Sequence, residues 1–319
     1  MIDKKYFETH SFKDLEEVIT AIYPFGNYNK LTSGYIFRGQ KRKEFSLTPS
    51  VLRREDSENV WSLGTFGKPI NNQSELSTFQ MQLEYDLLKQ FYDKSDIAGL
   101  YTPEIKRFRN RIHDIFNTEL FFYSEEWLPD ELVEIAGIAQ HYGMQTRLLD
   151  WTYDYNIALY FAAIGMLDKE SKHEDCILWA LNYQFFNFLW DTVKRSPLNI
   201  IRPSYYGNPY LEAQKGVFTL WKERKESLVD NAKDSNILSN IVDRRPLDER
   251  ISEYMDKIHG ANESNNISEK LLYCFVIPGE LKKDILRWLY SNGYSEEILF
   301  PGYHGVVKAI RNNALAKGI

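Results

Sequence analysis

Residues Ala139 to Ala162 read AQHYGMQTRLLDWTYDYNIALYFA, and this stretch organises the rest of the chain. Its first residues close a helix at Gln140, His141 and Tyr142, with Gly143 placed to take the left-handed conformation that ends helices. Thr146, Arg147, Asp150 and Trp151 follow within six residues. A second helix then opens near Thr152 or Asp154, either of which suits the N-cap. The apolar, small-residue run from Asn156 to Met166 predicts that this second helix is buried. Arg147 and Asp150 are near enough in sequence to pair. That pair reads either as a buried polar clip with Trp151 packed beside it, or as a pocket. In the second case a helix N-terminus favours an anion and His141, Tyr142 and Trp151 stack on a flat base.

Upstream, Leu132, Ile135, Ala136 and Ala139 give the preceding helix one apolar side after Pro129. Two more helices are predicted, one through Leu76, Phe79, Leu83, Leu87 and Phe91, the other through Ile105, Phe108, Ile112 and Phe116. Together they make a helical insertion over residues 55–130. Leu52 to Ile70 has no clear period and reads as a loop. Ahead of it stands YIFRGQ, Tyr35 to Gln40, a short strand from Gly34 to Gly39 with Arg38 at its mouth. Gly39 allows another backbone or a ligand to come close. The planar fork of Arg38 suits a phosphate or a carboxylate, or a local partner such as Glu44. Near the N-terminus, Ser11 is expected to open a helix in a capping box with Asp14.

Downstream, CILWAL (Cys176 to Leu181), GVFTLW (Gly216 to Trp221) and LLYCFVI (Leu271 to Ile277) are continuous apolar runs of strand length. Residues 222–270 turn polar and read as an exposed, partly helical insertion with at least one mobile loop. Leu281, Ile285, Trp288 and Leu289 form a helix closed by Asn292 and Gly293. EILF, Glu297 to Phe300, reads as a short strand, and a last helix runs from His304 to Leu315. The expected fold is a single α+β domain over 1–319, a small mixed or antiparallel β core with helical insertions.

The chain has 319 residues, 43% apolar and 26% charged, with a net charge of -6. A generic nucleic-acid binder is usually basic, so that class loses weight, although a local basic groove is compatible with the total. The two cysteines, Cys176 and Cys274, lie in apolar runs and read as buried free thiols of a reducing compartment. No signal core is visible at the N-terminus and no run approaches the roughly 20 apolar residues of a membrane span, so a cytoplasmic protein without an anchor is expected. The histidines, at 10, 113, 141, 173, 259 and 304, have no ligand spacing, which with two separated cysteines predicts no metal site. Neither a Walker loop nor a Gly-x-Gly-x-x-Gly loop is present.

YIFRGQ, then LTPSVLR (Leu47 to Arg53), then AQHYGMQTRLLDWT with ALYFA, resembles the FRG-domain family, named for the Phe-Arg-Gly triplet that is here Phe37, Arg38 and Gly39. NPYLEAQKGVFTLW (Asn208 to Trp221) and GYSEEILFPGYHGVV (Gly293 to Val307) fit its pattern, with departures at Tyr210, Gly302 and His304. The family is bacterial and phage-borne, and mostly without an assigned activity.

The order of parts also resembles the ADP-ribosyltransferase fold. The resemblance implies NAD as substrate, without a metal, and roles residue by residue. Arg38, with Gly39 beside it, would hold the pyrophosphate. Thr146 and Arg147 would lie in the segment that shapes the nicotinamide pocket, along with His141 and Asp150, and Tyr142 or Trp151 would stack on the nicotinamide. Glu212 or Gln214, two apart on a late strand and so on one face, would orient the ribose and the acceptor. There is no Ser-Thr-Ser, and no unambiguous Glu-x-Glu or Gln-x-Glu. Cleaving the nicotinamide–ribose bond builds oxocarbenium-like charge, and a pre-oriented contact to it is commonly worth ~3 kcal/mol.

The expected function is therefore transfer of ADP-ribose from NAD to a macromolecular acceptor, protein or nucleic acid, as a toxin or phage-defence effector. A rival reading is a non-catalytic module that recognises a nucleotide, a nucleic-acid end or an acidic peptide through Arg38, Arg147 and Trp151. A third is a hydrolase using His141 and Asp150.

Overall fold

The apolar runs at Cys176 and Leu272 are neighbouring strands inside one sheet, with side chains buried on both faces. The computed structural model describes residues 5–53, 63–64, 77–110, 126–168, 171–193, 196–205, 208–224, 242–260 and 270–317. Its strands are β1 (Phe7–Ser11), β2 (Tyr35–Gln40), β3 (Glu126–Trp127), β4 (Leu149–Thr152), β5 (Cys176–Asn182), β6 (Leu198–Ile201), β7 (Gly216–Trp221), β8 (Glu223–Arg224) and β9 (Leu272–Ile277). Its helices are α1 (Leu15–Thr20), α2 (Ser77–Ile97), α3 (Lys106–Asn110), α4 (Asp130–His141), α5 (Tyr155–Ala163), α6 (Tyr183–Val193), α7 (Pro209–Ala213), α8 (Leu247–Gly260), α9 (Lys282–Ser291), α10 (Glu296–Leu299) and α11 (Tyr303–Lys317).

Seven strands form one mixed sheet in the order β1-β9-β5-β2-β4-β7-β6, and β3 pairs with β8 apart from it. Within the large sheet β1 and β9 run parallel, and the other neighbours are antiparallel. The fold is thus α+β, with a wider sheet than the small core expected from the sequence. Side chains alternate between its faces. One face carries Ile36, Trp151, Trp179 and Val217 against Phe186 and Leu189 of α6 and Leu247, Ile251 and Met255 of α8. The other has two layers. Over β2, β5 and β9 lie α5 and α9, packed on Phe37, Leu178 and Phe275. Over β7 lie α4 and α2, packed on Phe218 and Leu220.

Several elements differ from the sequence expectation. Ser11 ends β1 rather than opening a helix, because its backbone is paired with Val276 of β9. The helix is capped instead by Asp14, whose carboxylate accepts from the Glu17 amide at 2.9 Å. Glu296–Leu299 is one helical turn, not a strand, since the Ile298 and Leu299 amides bond back to the Ser295 carbonyl. Leu149–Thr152, expected within an irregular polar segment, is a strand between β2 and β7.

The helix expected through Ile105 and Phe116 is seen over Lys106–Asn110, and residues 111–125 fall outside the described part. Most of the loop expected at 52–70 falls outside it too. Within 222–270, α8 carries Leu247, Ile251 and Met255 into the core. The stretches 225–241 and 261–269, with the mobile loop expected there, lie outside the described residues. No described helix is long and apolar enough to cross a membrane.

Candidate functional site

The Phe-Arg-Gly triplet places its three side chains in three environments. Phe37 is buried under α5, its ring 5.6 Å from that of Tyr155 and perpendicular to it. Gly39 lies where α5 presses on β2. A β-carbon there would stand 1.9 Å from the Ala158 carbonyl oxygen and 2.6 Å from the Ala162 nitrogen. No residue but glycine allows the helix this close. Arg38 points to the opposite face from Phe37.

β2 and β4 pair at one position only, Phe37 with Thr152. Beyond it the strands separate, and Arg38 Nη1 donates to the Asp150 carbonyl at 2.7 Å. The same nitrogen lies 3.7 Å from the Asp150 carboxylate. Arg38 Nε is buried and has no hydrogen-bond partner. Burial pulls the Arg38 pKa below its ordinary value. Asp150 opposes that, and the nearby Arg53 guanidinium adds to it. Two guanidinium groups within each other's field, one with an unused buried donor, form an arrangement that an anion would relieve.

Asp150 pairs with Phe218 across β4 and β7, so its side chain leaves the sheet on the face roofed by α4 and α5. It is 60% exposed and sits beside the end of α4. His141 there has its pKa lowered by burial, with Asp150 acting against the shift. An aromatic series follows from ring to ring: His141 to Tyr210 at 5.4 Å, Tyr210 to Phe300 at 6.3 Å, and Phe300 to Phe161 at 6.2 Å. Gly143, at φ +90°, turns the chain out of α4 with open space around its α-carbon. Tyr142 before it is 65% exposed.

The other sequence-predicted residues are placed as follows. Thr146 is buried; its hydroxyl donates to Gln140 Oε1 and accepts from the Leu148 amide. Arg147 does not meet Asp150. It is 3% exposed, and its Nε lies 2.6 Å from Glu84 on α2 with Nη1 3.5 Å from Glu223 of β8. Burial alone would lower the Arg147 pKa, but the two carboxylates overcome it and raise it. Glu84 also accepts from Trp127 Nε1 at 2.8 Å, and Glu223 from Arg250. The expected Arg147–Asp150 pair does not form, because Arg147 is drawn into an internal network that ties α2 to β8 while Asp150 faces outward.

Trp151 is buried on the face of Arg38 and donates to Thr219 Oγ1 at 2.9 Å. Glu212 and Gln214 do not lie on a strand. Asn208 caps α7 by accepting from the Leu211 amide at 3.1 Å, Pro209 starts it, and Gln214 is its C-cap. Glu212 is exposed. Gln214 Nε2 donates to the Leu299 carbonyl at 3.1 Å, and the main-chain carbonyl of Gln214 accepts from the Thr152 hydroxyl at 2.7 Å.

The basic run after the triplet is occupied. Lys41 pairs with Asp168 at 2.7 Å, Arg42 with Glu174 at 2.6 Å and Lys43 with Asp175 at 3.0 Å. Arg53, although it lies in the LTPSVLR stretch, and Phe300 carry no signal of a role in the sequence. Proximity to Arg38 and to Tyr210 is a property of the fold alone. Among the described residues no group of His, Cys, Asp or Glu could hold a metal ion.

The FRG domain family model matches residues 33–171, which holds β2, α4, β4 and α5, so the chain carries an FRG domain over that part. No curated protein and no solved structure matches it.

Proposed function

We propose that the chain binds NAD with its pyrophosphate at Arg38 and transfers ADP-ribose to a macromolecule, protein or nucleic acid. The observation that carries this reading is the adjacency of β2, β4 and β7 in the sheet. In chain order they bring Arg38, the Asp150–Thr152 segment running into the Asp154-capped helix α5, and Gln214 at the head of β7 side by side. That order is similar to the one the ADP-ribosyltransferase resemblance implies, and it supports the reading.

In this reading Arg38 neutralises the pyrophosphate, with Arg53 near it, and the exposed Tyr142 is free to stack on nicotinamide. The C–N bond to nicotinamide breaks with its electron pair leaving on the ring. The acceptor nucleophile then bonds to the ribose carbon and gives up its proton. A carboxylate beside the sugar stabilises the charge that develops between those events. Asp150 and Glu212 are the exposed carboxylates for that role. A toxin or phage-defence effector acting in the cytoplasm is the setting that the family resemblance implies.

A second reading, a non-catalytic module that holds a nucleotide or an acidic peptide at Arg38, is favoured by two observations. The Gln214 amide is engaged by the Leu299 carbonyl, and Trp151 is closed inside the core. The experiment that decides is incubation of the purified chain with labelled NAD and host lysate. Transfer predicts released nicotinamide together with a labelled macromolecule, both lost in Arg38→Ala. Binding of NAD without either product supports the module.

A further inference from the structure

The last helix, α11, leaves an apolar stripe uncovered. Tyr303, Val306, Val307 and Ile310 are 93%, 44%, 48% and 68% exposed, and their spacing puts them along one side of a helix. Gly305 is buried on the inner side, against the Phe300 and Glu296 carbonyls. Such a stripe on a surface helix marks a contact surface more often than a solvated one.

Charge says what kind of partner fits. α11 contains no Asp or Glu, whereas Lys308, Arg311 and Lys317 lie along it, in a chain whose net charge is -6. Arg311 is exposed and makes no ion pair among the described residues. A second copy docking symmetrically through α11 would bring the two sets of cations together, because an isologous contact places the same patch on both sides. An acidic surface has the opposite effect.

The helix is also continuous with the candidate site. Lys308 Nζ lies 4.8 Å over the ring of Phe300, which belongs to the aromatic series around Tyr210. Asn312 bonds to Glu296, a fully buried carboxylate that also accepts from Tyr160 at 2.9 Å and Tyr290 at 3.1 Å. Through that residue α11 is tied to α5 and α9.

We propose that α11 is a docking element for a protein partner that presents an amphipathic helix with acidic flanks. The partner's apolar side covers Tyr303, Val306, Val307 and Ile310, and its carboxylates meet Lys308 and Arg311. The assignment stands independently of ADP-ribose transfer.

The test uses two synthetic helical peptides with the same leucine stripe, one flanked by Glu and one by Lys, titrated into the full chain by fluorescence anisotropy. The Glu-flanked peptide is expected to bind at least about tenfold more tightly. Arg311→Glu should reverse that preference. Ile310→Asp should abolish binding without lowering the melting temperature, and Phe188→Asp, at an exposed position of α6, should leave it intact. The charge reversal decides the matter should Ile310→Asp fail to fold. Absence of binding by the Glu-flanked peptide, equal binding of both peptides, or binding indifferent to both α11 variants overturns the assignment. A wild-type dimer that Ile310→Asp converts to monomer overturns it as well, in favour of self-association.

Discussion

Arg38 Nη1 donates to the main-chain carbonyl of Asp150 at 2.7 Å, at the point where their two strands stop pairing. A side chain thus supplies the donor that the neighbouring strand has withdrawn. Nε stays buried and unpartnered, so the residue closes the sheet locally and keeps a donor in reserve. The same guanidinium serves as a clip and as the candidate anion site.

Gly39→Ala should be severely destabilising. The added methyl group would stand 1.9 Å from the Ala158 carbonyl, so α5 has to move off the sheet. Overpacking of a tight core costs about 3 kcal/mol at the upper end of its usual range. Chemical denaturation should show that loss. A midpoint equal to wild type contradicts the packing described for this glycine.

Arg147→Ala and Asp150→Ala should differ sharply. The first leaves Glu84 buried without its guanidinium partner, and breaking a buried pair typically costs about 3–5 kcal/mol. The second removes an exposed carboxylate 3.7 Å from Arg38, and such surface groups change stability by about 1 kcal/mol or less. Melting curves of the two variants measured side by side decide. The order of effects would invert if Arg147 and Asp150 were partners.

His141 contributes a pH dependence with a definite sign. Its folded-state pKa lies below the ordinary value, with burial as the main cause. The unfolded chain therefore binds the proton more readily, and stability falls as pH falls. The contribution is complete above the unfolded value of about 6.5 and declines below it, down through the folded pKa. Urea unfolding at several pH values should show that loss in wild type and a shallower slope in His141→Gln. Equal slopes contradict the burial assigned to this ring.

The parts of the fold legible in the sequence are those where one face or both faces are buried along a regular element. Cys176–Leu181 and Leu271–Ile277 are continuous apolar runs because helices cover their strands above and below. β1 leaves no apolar signal because it is an edge strand whose sequence, FETHS, is mostly polar. β4 is four residues long and carries Asp150 at its centre, which hides the period. Glu212 and Gln214 fell on a helix because Asn208 and Pro209 nucleate one turn just before the apolar run of β7.

At the site, the close approach of another backbone at Gly39 could be anticipated from a glycine near a strand end. The partners of Arg147 could not. Glu84 and Glu223 lie 63 and 76 residues away along the chain, and spacing carries no information at such separations. Asp150 is the acid nearest in sequence, but Arg147 is buried among Glu84 and Glu223 instead.

The role proposed for Arg38 is to receive the pyrophosphate of NAD. Calorimetric titration of NAD, ADP-ribose and nicotinamide riboside into wild type and Arg38→Ala tests it most directly, with melting curves confirming that the variant is folded. NAD and ADP-ribose should bind wild type, nicotinamide riboside should bind at least about tenfold more weakly for want of a pyrophosphate, and Arg38→Ala should lose at least about tenfold for the first two. Equal affinity of wild type and folded Arg38→Ala for NAD, or no binding of NAD to wild type, would contradict it.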